Sequence, residues 1–208
     1  MSGQSGGKVA TRDRLIRTAA DLFQQRGYYA VGVAEILAKA KAPRGSLYHH
    51  FPNGKADLAV AAVEWLEAEI LSAIRQARLT GRSVEEFIAL LATGMANWLE
   101  ETGWSRGSLL SVLAQEVVPH EPGISGAVAR SYERIQEALA DWLVADGLKP
   151  AQAREVAAVI LAALQGALAL ARATRSKFPL EVLPKHISLS LGQPAPKAGT
   201  RRPHPDGQ

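Results

Sequence analysis

The sequence predicts an all-α protein of about nine helices. Three observations carry that expectation. Apolar residues recur at three- and four-residue steps through most of the 208 positions, the period of a helix with one buried face. No stretch alternates apolar and polar residues between turn signals, as a half-buried strand does. Gly and Pro stand where such helices should stop and start.

The first helix is predicted over 11–26. Leu15, Ile16, Ala19, Leu22 and Phe23 share a face, and Gly27 follows as a C-terminal glycine should. A short second helix covers 33–40, with Val33, Ile36 and Leu37 inward. Lys41-Ala42 makes a tight turn, and Pro43 opens a third helix that runs to residue 51. Pro52-Asn53-Gly54 breaks it. The fourth helix, 55–79, repeats Leu58, Ala62, Leu66, Ile70 and Ile74 at a four-residue step. Ser83 and Glu86 have capping-box spacing ahead of the fifth, 84–101, which buries Phe87, Leu91, Met95 and Trp98. A short sixth helix spans 108–118, and Pro119 and Pro122 bracket the break after it. The seventh, 124–145, aligns Val128, Tyr132, Ile135, Leu139 and Trp142 and stops at Asp146-Gly147. Pro150 opens the eighth, 150–175, and 179–191 supports a ninth. From Gly192 the chain is Pro/Gly-rich and polar, so residues 192–208 are expected to be a disordered tail.

A hydrophobic content of 47% is ample for a packed core. The absence of cysteine excludes disulfides, thiolate zinc sites and a cysteine nucleophile. Residues 1–7 are polar and Gly-rich, without the apolar core of an export signal, so the expected location is the cytoplasm. Residues 156–171 are apolar except for Gln165 and Gly166, shorter than the roughly 20 residues a membrane span needs. They are expected to form a buried helix with neighbours all round, and no membrane partner is expected. The small residues Ala162, Gly166 and Ala169 allow close helix approach there, as at a homodimer interface.

Charge is uneven. Residues 1–58 hold nine Lys/Arg against four Asp/Glu, whereas 59–191 hold twelve against fifteen. Basic charge gathered at one end is an electrostatic footprint for nucleic acid. The first 57 residues also contain two short helices joined by a tight turn, the outline of a helix-turn-helix whose second helix enters the major groove. On a helical wheel Leu47 and Phe51 pin the third helix to the first. Gly45, Ser46 and His49 then point outward, with Arg44, Tyr48 and His50 on the flanks. Gly45 weakens the helix by roughly 0.5–1 kcal/mol but lets backbone approach DNA closely. Ser46 and His49 suit base edges, Arg44 a guanine or a phosphate, and Tyr48 a phosphate. Lys55 places a cation at a helix N-terminus, which suits a phosphate oxygen. His49 and His50 point about 100° apart and cannot chelate one ion well, so no metal site is expected.

On these residues the segment resembles the DNA-binding region of the tetracycline-repressor (TetR) family. The match lies in Ile16, Ala19, Phe23, Gly27-Tyr28, Val33, Glu35-Ile36, Ala40, the run GSLYHHF at 45–51, Gly54-Lys55 and Asp57-Leu58. The run APRGSLYHHFPNGK also resembles the branch that holds multidrug- and flavonoid-responsive repressors. Three positions depart from the family pattern. Val31-Gly32 stand where a Thr or Ser usually caps the second helix, Lys41 replaces the turn glycine, and Pro43 replaces a capping Ser/Thr.

The resemblance implies a helix-turn-helix domain over 11–57 and an effector-binding and dimerisation domain over 58–191. It implies a homodimer on a palindromic double-stranded operator, released by a small apolar or aromatic effector, with no cofactor. Candidate effector contacts are the large aromatics and polar groups on apolar faces: Met95, Trp98, Trp104, Tyr132, Trp142 and Gln165. Gln165 stands out, because no neighbour on its own helical face supplies a partner for a buried amide. Two rival classes have less behind them. A helical enzyme using His120 with Glu116 or Glu121 lacks a nucleophile, a metal pattern and a phosphate-binding loop. A ligand-independent architectural DNA-binding protein needs no large apolar second domain.

Overall fold

The computed structural model describes residues 4–191, with side chains described over 11–187. Among the described residues there are nine α-helices and no strand. The expected tail, 192–208, lies outside them.

Helices α1 (Gln4–Arg26), α2 (Val33–Lys39) and α3 (Arg44–His50) form the N-terminal headpiece. Helix α1 starts seven residues before the predicted 11. Gly6 and Gly7 weaken a helix by about 1 kcal/mol each but do not forbid it. Leu15, Phe23, Ile36 and Leu47 are each fully buried, and Phe51 nearly so, so α3 is pinned to α1 as the wheel requires.

Helix α4 (Lys55–Leu79) leaves the headpiece and runs on into the body, packing against α1 and α7. Its one buried acid, Glu67, pairs with Arg134 at 2.6 Å. Helix α5 (Val84–Glu101) starts at the expected capping box: Ser83 Oγ accepts from the Glu86 amide at 3.2 Å, and Glu86 Oε2 accepts from the Ser83 amide at 3.0 Å. Helices α6 (Leu109–Val117), α7 (Pro122–Ala145), α8 (Pro150–Thr174) and α9 (Phe178–Leu191) complete the body. Helix α7 begins two residues earlier than predicted, since Pro122 is tolerated in a first turn.

One expectation is corrected. Helix α8 is not surrounded. Ala153, Ala157, Ile160, Leu164, Ala167, Leu168 and Ala171 are buried against α5, α7 and α9. On the opposite side Val159 and Leu170 are 63% and 59% exposed, and Ala162, Gly166 and Ala169 are exposed with them. At 25 residues the helix passes the length a bilayer span needs, so length does not argue against a span. The packing of its buried stripe on three neighbouring helices is what marks it as part of this body.

Candidate DNA-binding face and effector cavities

The turn between α2 and α3 is built without side-chain caps. Gly32 and Pro43 precede the two helices, and neither offers a capping side chain. Lys41 takes up the missing turn glycine's task at φ 48°. A left-handed lysine costs on the order of 1 kcal/mol, offset by the bond from the Ala42 amide to Leu37 O at 3.0 Å. The Ser46 hydroxyl donates back to Pro43 O at 2.6 Å, a bond that leaves the first helical N–H groups uncapped.

Burial of Leu47 and Phe51 turns the rest of α3 outward. Arg44, Gly45, Tyr48 and His49 are exposed, and Ser46 and His50 are half-buried. No Cβ added at Gly45 would meet anything within 4 Å, so this strip of backbone is open to a close ligand. Of the seven residues expected to touch DNA, four are thus open to solvent and two are half-buried at the sides of the exposed surface.

The seventh, Lys55, is differently placed. Its ammonium turns back into the α1–α2 turn, donating to Tyr28 O and Val31 O at 3.1 Å each. It also lies 4.2 Å from the Tyr28 ring centroid, a cation–π distance. Partial burial lowers its pKa below the usual lysine value, with Glu121 and Glu116 opposing. Its main contacts are therefore to the protein's own carbonyls. The signal that sequence reasoning missed is the six-residue turn without regular structure, whose carbonyls offer a nearby ammonium acceptors; Tyr28 O also accepts from the Val31 amide at 3.3 Å.

Glu116, named from the sequence only as a possible base in the rival enzyme reading, has a different place. Its Oε2 accepts from the Tyr28 amide at 2.7 Å and the Tyr29 amide at 3.2 Å. The legible sign was a lone carboxylate near the end of an otherwise uncharged helix. Tyr28 itself is buried, and its pKa is raised to about 12, chiefly by burial and then by Glu121.

In the body two cavities abut. One, about 470 Å³, is apolar and lies between α4, α5, α6 and α8; Met95, Trp98, Phe87, Ile70 and Leu110 line it. The other, about 460 Å³, is more polar; Trp104, Ser111, Gln115, Arg172 and Arg175 line it. Ser108, Gln165 and Leu168 belong to both walls. The volumes fall within the range of small-molecule sites. Of the six residues expected to meet an effector, Met95, Trp98, Trp104 and Gln165 line a cavity.

Two do not. Trp142 is 2% exposed and packs on Phe87 with centroids 5.5 Å apart, so it is a core residue. Tyr132 stands behind the wall, its hydroxyl 3.2 Å from Ser111 Oγ. Burial raises its pKa, and the Ser111 bond opposes that shift. Gln165 does have a partner, from another helix: Ser111 Oγ donates to its Oε1 at 2.7 Å.

An all-helical chain with an open helix-turn-helix face and a separate cavity-bearing body is a helix-turn-helix transcriptional regulator. The comparisons with known proteins give the family. Residues 15–62 match the family described as bacterial regulatory proteins, tetR family, and residues 84–186 match the LmrA/YxaF-like transcriptional regulator C-terminal domain. The chain belongs to the TetR family of transcriptional regulators, not to an enzyme family. It is 28% identical over 177 residues to the HTH-type transcriptional regulator YxaF of Bacillus subtilis, covering 85% of this chain and 93% of that one. It is 27% identical over 174 residues to the regulator LmrA of the same organism, covering 82% and 90%. A crystal structure of a TetR regulatory protein from Rhodobacter sphaeroides superposes with a TM-score of 0.71 at 26% identity, covering 86% of this chain and 96% of that one.

Proposed function

We propose that this chain is a ligand-responsive repressor, binding a palindromic operator as a homodimer in the cytoplasm and released by a small apolar or aromatic effector. The observation that carries the reading is the co-occurrence, in one chain, of an open polar face on α3 and an apolar cavity whose wall carries the hydrogen-bonded amide of Gln165. Residues 11–57 would do the binding to DNA, and residues 58–191 the sensing and pairing. An architectural DNA-binding protein has no use for such a cavity.

Several features support the individual roles. Arg44 suits a guanine edge or a phosphate; Gly45, Tyr48 and His49 are exposed beside it, and Ser46 and His50 are half-buried at the edges. Lys55 keeps at most one ammonium hydrogen for a phosphate, so its part in DNA binding is chiefly to hold the turn behind the face. The exposed stripe of Val159, Ala162, Gly166, Ala169 and Leu170 gives a second copy a flat apolar surface to pair with. A two-fold dimer places its recognition helices on half-sites roughly 34–36 Å apart.

Selection of bound DNA from a random library tests the reading. A palindrome with half-sites one helical turn or a multiple apart is the expected outcome, and a non-palindromic or sequence-neutral pool contradicts it. A thermal-shift screen with apolar aromatic compounds tests the effector. Raised melting together with weakened operator binding is expected. Compounds that bind without changing DNA affinity contradict release.

A further inference from the structure

Helix α6 faces both halves of the molecule. On one side it walls the cavities, where Ser111 bonds to Gln165. Five residues along the same helix, Glu116 reaches the α1–α2 turn and accepts two of its amides. The helix is nine residues long, so the two contacts belong to one rigid rod.

The turn is shaped to receive this carboxylate. Gly27 has φ +82°, and a Cβ there would lie 1.8 Å from Glu116 Oε1. Any side chain at this position would evict the carboxylate. From the other side Lys55 binds the carbonyls of Tyr28 and Val31. One carboxylate thus takes the turn's N–H groups and one ammonium takes its C=O groups. Both kinds of bond are charge-assisted and directional, stronger than neutral ones at the right geometry. Two further contacts tie α1 to the approach of α6: the Gly107 amide donates to Gln24 O at 2.9 Å, and Arg106 pairs with Asp21 at 2.5 Å. These precede the helix and hold its start. At its far end Glu116 joins the helix to the residues that lead into α2.

We propose that Glu116 is a positioning residue that transmits movement of the effector-cavity wall to the helix-turn-helix, by holding the α1–α2 turn through the amides of Tyr28 and Tyr29. The route runs from Gln165 through Ser111 and α6 to Glu116, then to the turn, whose carbonyls bear on Lys55 at the head of α4. It rests on the effector reading above, since the cavity wall is its source.

A double-mutant cycle tests this without a known effector. Ser111→Trp forces an indole between α6 and α8 and displaces the wall. In the otherwise wild-type protein it should weaken affinity for the selected operator on the order of tenfold. In a Glu116→Ala background the same change should move affinity less than about twofold, because the link is already cut. Equal losses in both backgrounds overturn the role of Glu116 while leaving the effector reading standing. No loss in the wild-type background overturns both. Should Glu116→Ala fail to fold, Glu116→Gln takes its place, and its smaller loss on wedging is the supporting result. Hydrogen exchange of the full chain gives an independent readout. Ser111→Trp should speed exchange of the Tyr28 and Tyr29 amides on the order of tenfold. Unchanged exchange at these two amides overturns the proposal, and a merely structural role for Glu116 predicts that result.

Discussion

Replacing Gly27 with Ala should destabilise the protein by about 2–5 kcal/mol, and the structure divides that cost in two. The first part is conformational. At φ +82° an L-residue costs about 1–2 kcal/mol. The second part is a lost contact. The new Cβ would stand 1.8 Å from Glu116 Oε1 and 2.6 Å from Cδ, so the carboxylate must leave. Tyr29 is exposed, and water can take over its amide. Tyr28 is 4% exposed, and its amide is left with an unmet bond worth about 1–3 kcal/mol. Equilibrium urea unfolding measures the sum as a fall in midpoint at unchanged slope. Several protein concentrations are needed, since any self-association shifts the midpoint by mass action. The decisive comparison is Gly27→Ala in a Glu116→Ala background. There only the conformational part, about 1–2 kcal/mol, should remain. A cost below about 1 kcal/mol in the wild type, or the same cost in both backgrounds, refutes the packing of Glu116 against Gly27.

Three further outcomes follow from the same geometry. Arg44→Ala should weaken operator binding by about 1–3 kcal/mol by fluorescence anisotropy, and unchanged affinity removes Arg44 from the reading face. Gly166→Leu, which puts a branched side chain on the exposed stripe of α8, should convert dimer to monomer in sedimentation velocity; an unchanged dimer would put the interface elsewhere. Tyr28 predicts an alkaline limb. The unfolded phenol loses its proton near pH 10 and the folded one near 12, so between these values only the folded state holds it, and stability falls as pH rises, by an amount on the order of 2–3 kcal/mol. Lys55, with its pKa lowered, acts with the opposite sign, so the measurement is the difference between wild type and Tyr28→Phe, and parallel curves would count against the assignment.

Much of the fold was legible because local signals agreed with burial. Ser83 and Glu86 cap α5 as their spacing indicates, and Leu47 and Phe51 face inward at the four-residue step that turns Arg44, Tyr48 and His49 outward. What stayed hidden depended on contacts distant in sequence. Met95, Trp98 and Trp142 all sit on apolar helical faces, and nothing local separates them. Trp142 meets Phe87 and closes a core, whereas Trp98 borders a gap that no neighbouring side chain fills. The residues around Gln165 hold no partner for its amide, because that partner, Ser111, lies 54 positions away. Glu116 meets Tyr28 across 88 positions. The exposed stripe of α8 was missed for a different reason. A helix apolar on every side has no periodicity to say which side its own chain leaves uncovered.

The way the headpiece is held decides how it responds to a push from α6. Helix α3 has seven residues, fewer than an isolated helix needs to persist in water. Its shape and direction come from Leu47 and Phe51, 0% and 2% exposed, each worth about 1.5–3 kcal/mol of burial. That term is non-directional and changes little over a small slide. The α1–α2 turn shares that apolar seat through Tyr28 and Val31, but it is also held by four hydrogen bonds, two to Glu116 and two from Lys55. Each is of similar worth, about 1.5–3 kcal/mol, but is largely lost once the angle and distance leave a narrow range. A displacement of α6 by an ångström or so therefore opens the polar joint while the apolar seat of α3 stays closed. The reading face should arrive at DNA intact and wrongly placed. Loss of operator binding would then come without loss of helix content in the headpiece.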